Sequence, residues 1–195
     1  MKIGIFGGSY NPPHNMHKKI ALELLNGYVD KIIFVPTGSK YKYKSNLISD
    51  RDRFNMLKIM TQDNEKLEVS DYELKSHVVY TCETLEYFSK LYPDDEIFFI
   101  CGADNLSYID EWKNGLDILE NYKILVIKRD GDDIDLILKR LNKYRKNIII
   151  SDISPQDVSS TEIRDLIINN NDTGNLIDKD IFNYIRENKL YGVKE

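Results

Sequence analysis

Ile3-Gly4-Ile5-Phe6-Gly7-Gly8-Ser9-Tyr10-Asn11-Pro12-Pro13-His14-Asn15-Met16-His17 starts as an apolar run and ends as the opening of a helix. The run Ile3–Phe6 reads as a strand buried on both faces, because no polar residue interrupts it and a glycine pair follows it. Gly7 and Gly8 let backbone approach a ligand with no Cβ in the way. Pro12 and Pro13 hold the chain extended until a helix begins near His14 to Met16. Met16, Ile20 and Leu24, with Ala21 and Leu25, then share one helical face at i, i+4 spacing.

The same alternation continues outward from this unit. Lys31–Val35, Glu96–Ile100, Ile124–Ile127 and Asn147–Ile150 read as further buried strands, with Leu67–Val69 a weaker one. Between and beyond them, Phe54, Leu57 and Met60 repeat at i+3, as do Leu85 and Phe88. Leu138 and Leu141 do so within a basic helix around 134–145, and two more helices close the chain near 160–169 and 179–188. Strand–helix alternation with unbroken apolar strands predicts an α/β fold: a Rossmann-like, doubly wound parallel sheet with helices on both faces. The chain is read as one domain over 1–195, with a core of about 1–158 and the C-terminal helices of 159–195 packed on it. Ligands of such sheets bind beyond the carboxyl ends of the strands, where strand order reverses. Function is therefore sought in the residues that follow each strand.

Composition narrows the classes. The 195 residues are 42% hydrophobic and 30% charged, which excludes a disordered chain. No apolar run approaches the roughly 18 residues of a membrane span, and the Gly7-Gly8 pair comes too early for a signal peptide. A net charge of −5, from 27 basic and 32 acidic residues, argues against nucleic-acid or membrane partners while leaving room for a local cationic pocket. The two cysteines, Cys82 and Cys101, form neither a CxxC pair nor a disulfide framework, which fits a cytoplasmic protein. The surface pattern selects no oligomeric state and leaves a homo-oligomer open.

Two helix starts carry the chemistry. The first follows Gly7-Gly8, where free N–H groups and the positive end of the helix dipole favour an anion. It contains neither GxGxxG nor the GxxxxGK[ST] phosphate loop. Two of the three histidines, His14 and His17, sit there at i, i+3 on one face, able to donate to phosphate oxygens. As an HxxH metal site the pair lacks an evident third ligand, so no protein-held metal is expected. The second start is Ser159-Ser160-Thr161-Glu162-Ile163-Arg164. Ser159 and Glu162 have capping-box spacing, which marks a helix start with no ligand required. Ile163, Leu166 and Ile167 form its apolar face, with Thr161 and Arg164 on the other side. Arg164 opposes the helix dipole at that position, and a bound phosphate would resolve the conflict.

Taken together, Gly7 to His17 and Ser159 to Arg164 resemble the HxGH and SSTxxR motifs of the nucleotidylyltransferase superfamily. The chain looks closest to the nicotinate and nicotinamide mononucleotide adenylyltransferases. Pro36 to Lys42, Tyr80 to Leu85, Cys101 to Leu106, Glu111 to Lys113 and Tyr184 to Tyr191 support the resemblance, in the family's order along nearly the whole chain. It implies adenylyl transfer from MgATP to the 5′-phosphate of a pyridine mononucleotide, with release of pyrophosphate. The mononucleotide phosphate attacks directly, with no covalent enzyme intermediate and no prosthetic group; Mg2+ arrives with ATP. By position, the resemblance gives His17 and His14 to catalysis at the ATP phosphates. Gly8, Ser9, Ser160, Thr161 and Arg164 would contact phosphate, and Gly102 and Asp104 the adenosine ribose. One of Lys42 and Lys44, in the loop after Pro36, would reach a phosphate. Thr81, Thr84 and Trp112 would line the pyridine pocket, with the indole stacked on the ring, and Arg129 would meet phosphate on the mononucleotide side.

Met16 stands where bacterial members commonly carry Gly. This residue and the Lys-Tyr loop after Pro36 look more like the nicotinamide-tolerant eukaryotic type. The expected acceptor is nicotinate mononucleotide, with nicotinamide mononucleotide as a second substrate. Two other readings stay open: a superfamily enzyme with another acceptor, such as phosphopantetheine or a cytidylyl acceptor, and a nucleotide-binding sensor without turnover.

Overall fold

Six apolar runs become six parallel strands in the protein's structure, a computed structural model that describes residues 1–40, 47–153, 155 and 158–193. They are β1 (Lys2–Gly8), β2 (Lys31–Pro36), β3 (Leu67–Val69), β4 (Glu96–Gly102), β5 (Lys123–Ile127) and β6 (Ile148–Ile150). The order across the sheet is β3-β2-β1-β4-β5-β6, every neighbouring pair parallel. Strand order reverses between β1 and β4, and the crevice lies above their carboxyl ends.

Alternation along the strands divides the core into two layers. Phe6, Ile32, Phe34, Ile100, Leu125 and Ile127 face one side, where they meet α1 (Asn15–Leu25), α2 (Asp50–Thr61), α7 (Ser160–Ile168) and α8 (Lys179–Glu187). Ile3, Ile5, Ile33, Val35, Phe99 and Val126 face the other. There they meet α3 (Thr81–Leu91), α4 (Ala103–Leu106), α5 (Gly115–Asn121) and, through partly buried residues, α6 (Ile134–Arg140). Each fully buried aliphatic side chain contributes roughly 1.5–3 kcal/mol against exposure. Both faces of the sheet are covered, as the unbroken apolar strands require. Among the described residues no helix is long and apolar enough to cross a membrane.

Two local expectations are corrected. The helix expected around 134–145 ends at Arg140, and Asn142–Asn147 continues as a 3₁₀ helix. The last strand starts at Ile148 rather than Asn147. Asn147 is buried and its side-chain amide donates to the carbonyls of Leu119 and Glu120, both at 3.0 Å. That long-range pairing holds it out of the sheet.

Candidate active site

The strand ends at the reversal point open into a cleft of about 680 Å³. Gly7 and Gly8 of β1, His14, Met16 and His17 of the α1 start, and Arg129 after β5 line one end. Glu73, Tyr80, Thr81, Thr84, Tyr108, Trp112 and Lys113 line the other, and Gly102, Asp104 and Asn105 at the end of β4 line the cleft as well.

Gly8 closes β1 under the ring of Tyr10; a Cβ there would come within 2.9 Å of that ring. Tyr10 itself has φ 48°, left-handed backbone that a tyrosine rarely adopts, and is held by its hydroxyl donating to the Phe6 carbonyl at 2.6 Å. Its ring packs edge-on against His17, centroids 5.0 Å apart. The turn thus places α1 directly beyond the glycines.

His14 is the residue preceding α1 and takes extended backbone, as an N-cap does. Its N–H donates to Nδ1 of His17 at 3.2 Å, and the two rings stack at 3.7 Å. Because Nδ1 of neutral His17 accepts, its proton sits on Nε2, which leaves Nε2–H as a donor. His14 Nδ1 is buried and has no partner. Burial, then the Arg129 charge, lowers the His14 pKa to about 4. Burial, then His14 and Arg129, lowers that of His17 as well. Both imidazoles are neutral at pH 7. No acidic residue occupies the first turn of α1. The Asn15 N–H donates to the Leu176 carbonyl at 3.0 Å and the His17 N–H to the His14 carbonyl at 2.9 Å, so what the described residues leave unpaired at this helix start is the buried His14 Nδ1.

The second helix start is arranged differently. Ser159 Oγ accepts from the Glu162 N–H at 3.1 Å, as capping-box spacing predicts. Ser160 Oγ donates to the Pro12 carbonyl at 2.9 Å, and Arg164 Nη1 donates to the Asn11 carbonyl at 2.7 Å. Arg164 Nη2 donates to Thr161 Oγ1 at 3.0 Å. The start of α7 therefore brackets the turn that precedes α1. Ser160, Thr161, Arg164 and Ser9 are outside the cleft lining, whereas the other described site residues are part of it. Lys42 and Lys44 lie outside the described residues.

At the far end, Thr84 Oγ1 donates to Glu73 Oε1 at 2.7 Å. Burial pushes the Glu73 carboxyl up to about 7, against the opposing Thr84 hydrogen bond and Arg53 charge. A Cβ at Gly38 would collide with the Glu73 carbonyl, so glycine lets the segment after β2 close on this wall. Trp112 stands edge-on to Phe99 at 6.0 Å and Tyr108 at 5.8 Å, partly exposed to the cleft. Lys113 Nζ sits 4.4 Å over the Tyr80 ring. Sequence reasoning did not single out Glu73, Tyr108 or Lys113. Glu73 follows the weakest strand in a polar stretch, and only its tertiary burial sets it apart.

Among the described residues no three His, Cys, Asp or Glu side chains converge on a metal site. Mg2+ carried by a triphosphate needs no such cage, since phosphate and water oxygens supply most of its ligands.

Residues 5–166 match the cytidylyltransferase-like family model, and fold and site together define a nucleotidyltransferase. A "probable nicotinate-nucleotide adenylyltransferase" of Clostridium tetani is 42% identical, covering 97% of this chain and 98% of its own. One of the same description from Clostridium acetobutylicum is 39% identical over the same shares. The chain belongs to the nicotinate-nucleotide adenylyltransferase family. The nicotinic acid mononucleotide adenylyltransferase of Plasmodium falciparum, solved with NaAD, shares the fold with a TM-score of 0.81 at 22% identity, covering 99% of this chain and 98% of that one.

Proposed function

We propose that the enzyme transfers the adenylyl group of MgATP to the 5′-phosphate of nicotinate mononucleotide, giving the dinucleotide and pyrophosphate. One observation carries the reading: the α1 start at the strand reversal, where buried His14 Nδ1 has no partner and both imidazoles are neutral. A mononucleotide phosphate oxygen attacks the α-phosphorus of ATP, and the bond from that phosphorus to the β-phosphate's bridging oxygen breaks. No proton transfer is needed for balance, so positioning and charge stabilisation are the enzyme's work.

His17 Nε2–H donates to the α-phosphate as negative charge develops, and His14 contacts the neighbouring phosphates. Gly8 lets the triphosphate lie close to the end of β1. Arg129 draws phosphate toward the same end. Thr161 and Arg164 hold the phosphate tail while Arg164 also fixes the Asn11 turn, and Gly102 and Asp104 meet the adenosine ribose. Thr81, Thr84 and Trp112 hold the pyridine ring. Bound Mg2+ would supply charge neutralisation on the triphosphate. Met16 packs in the core cluster beneath α1. It also lines the cleft beside His14 and His17. The two clostridial relatives, both named for nicotinate, support the acid.

The test is pyrophosphate release from MgATP with nicotinate mononucleotide and, in parallel, nicotinamide mononucleotide. The acid is expected to be the better substrate by kcat/KM. Equal rates would replace the acid preference with dual specificity. Silence with both would overturn the proposed acceptor, and ATP binding without turnover would favour a sensor.

A further inference from the structure

Arg53 is the largest fully buried side chain of the described residues, 0% exposed, on a helix whose other buried residues are Met56, Leu57, Met60 and Thr61. Its guanidinium joins parts of the chain that are distant in sequence. Nη1 donates to the Ser9 carbonyl at 2.7 Å. Nη2 donates to the Thr37 carbonyl at 2.5 Å and to Asp50 Oδ1 at 2.6 Å. Ser9 belongs to the loop after β1 and Thr37 to the segment after β2. Asp50 in turn accepts from the Ser39 N–H at 3.0 Å and from Ser39 Oγ at 3.2 Å.

Beyond residues 41–46, the Ile48 N–H donates to Asn11 Oδ1 at 3.3 Å, and the Tyr191 hydroxyl donates to the same oxygen at 3.0 Å. The chain on both sides of Lys42 and Lys44 is therefore tied to the loop after β1, one side through Arg53 and Asp50, the other through Asn11.

A guanidinium is costly to bury, and an apolar side chain of like volume would fill the same space as well or better. What an apolar side chain lacks is a grip on two backbone carbonyls. In a trans peptide the carbonyl and the following N–H point opposite ways, so fixing the Ser9 and Thr37 oxygens also fixes the N–H directions of Tyr10 and Gly38. Arg53 itself does not line the cleft.

We propose that Arg53 is a positioning residue for the phosphate end of the cleft, locking the loop after β1 to the segment after β2 that leads into the lysines. It thereby sets the spacing at which the ATP phosphates are received. The proposal deepens the adenylyl-transfer reading and rests on it.

The experiment compares wild type with Arg53→Ala and Arg53→Lys in three measurements: calorimetric affinity for a non-hydrolysable ATP analogue, KM for nicotinate mononucleotide, and thermal unfolding. Arg53→Ala is expected to bind the analogue about 30-fold more weakly, a loss of the size that small misplacement produces. Its mononucleotide KM should rise by no more than about fivefold, because only the Thr37 side of the clamp reaches the Glu73 wall at that end. Millimolar guanidinium should restore most of the lost ATP affinity in this variant alone. Lysine is a point charge that cannot bridge two carbonyls and a carboxylate in one plane, so Arg53→Lys should remain about tenfold weak. If Arg53→Ala does not fold, Arg53→Lys decides by the same split between substrates.

Unchanged ATP affinity in a folded variant would overturn the proposal. So would equal losses for both substrates that follow the unfolded fraction, or no recovery with guanidinium. Wild type that fails to bind ATP overturns the adenylyl-transfer reading too, whereas normal wild-type binding with an indifferent Arg53→Ala overturns only the role of Arg53.

Discussion

The two helix starts beside the cleft look alike in sequence and differ in what they leave unfinished. The α7 start satisfies itself: Ser159 caps it, Glu162 sits in its first turn, and Arg164 and Ser160 spend their hydrogen bonds on the Asn11-Pro12 turn. The α1 start has no acid in its first turn, an unpartnered buried nitrogen on His14, and a second histidine whose remaining donor is Nε2–H. One start is a finished bracket that shapes the turn before α1. The other leaves His14 Nδ1 unpaired among the described residues. The two phosphate-type motifs thus differ before any ligand arrives: α7 already braces the turn before α1, whatever part Arg164 also takes in the proposed phosphate contact.

Substitution at the unfinished start should cost most. His17→Ala is expected to lower kcat by about 10²–10³-fold while changing the KM for ATP only a few-fold, as for loss of a donor aimed at developing charge. Steady-state kinetics check it; an effect confined to KM would reassign His17 to ground-state binding and blur the contrast with α7.

The unfinished start should also reveal itself in stability without ligand. The His14 pKa is about 4 in the folded protein, lowered by burial and by Arg129 from an ordinary 6.5. Between those values the unfolded chain binds the proton first, so stability is fully present above pH 6.5 and lost as pH falls toward 4. His17 acts in the same direction. The His14 contribution is on the order of 3 kcal/mol. Glu73 at the opposite end has the reverse sign: its carboxyl is raised from 4.5 to about 7, so its contribution is full below 4.5 and lost as pH rises through 7. Denaturant unfolding of the apo protein across pH 4–7 should show a shallower rise for His14→Gln and a steeper one for Glu73→Gln. Superimposable curves for wild type and both variants would remove the electrostatic difference between the two ends.

Arg164 tests whether the finished start also contacts ATP. Arg164→Ala should raise the KM for ATP about 30-fold, the worth of a charge-assisted contact, with kcat within a few-fold. Ser160→Ala removes the neighbouring bracket bond to the Pro12 carbonyl without touching charge and should raise KM only about threefold. Equal effects of the two substitutions would mean that Arg164 works solely as a bracket.

The division between the two starts was only half legible in the sequence. Periodicity and strand–helix alternation identify β1 and α1, since an apolar run followed by glycines and an i, i+4 face are local properties. Ser159 and Glu162 likewise announce their cap. What α7 does with Ser160 and Arg164 is written across about 150 residues of chain separation, in carbonyls that any residue could supply. Arg53 and Glu73 escape a linear reading for the same reason. A charged residue in a helix or loop reads as solvated until the fold closes over it. The start of the last strand at Ile148 depends similarly on Asn147 finding the Leu119 and Glu120 carbonyls.

The smallest expected effect is the sharpest test of the contrast. Ser159 Oγ has one structural task, accepting from the Glu162 N–H, and its side chain is exposed. If α7 is complete without a ligand, Ser159→Ala removes a cap worth about 1 kcal/mol and nothing else. Thermal unfolding should then shift down by a few degrees, while kcat and both KM values stay within about twofold. The equivalent position on α1 is His14, where the cap's own side chain faces the cleft and no such separation of stability from catalysis is available. A Ser159→Ala enzyme of normal stability and weakened ATP binding would mean that the hydroxyl serves the nucleotide rather than the helix. Both helix starts would then be unfinished, and the α7 bracket would be a resting arrangement that ATP rebuilds.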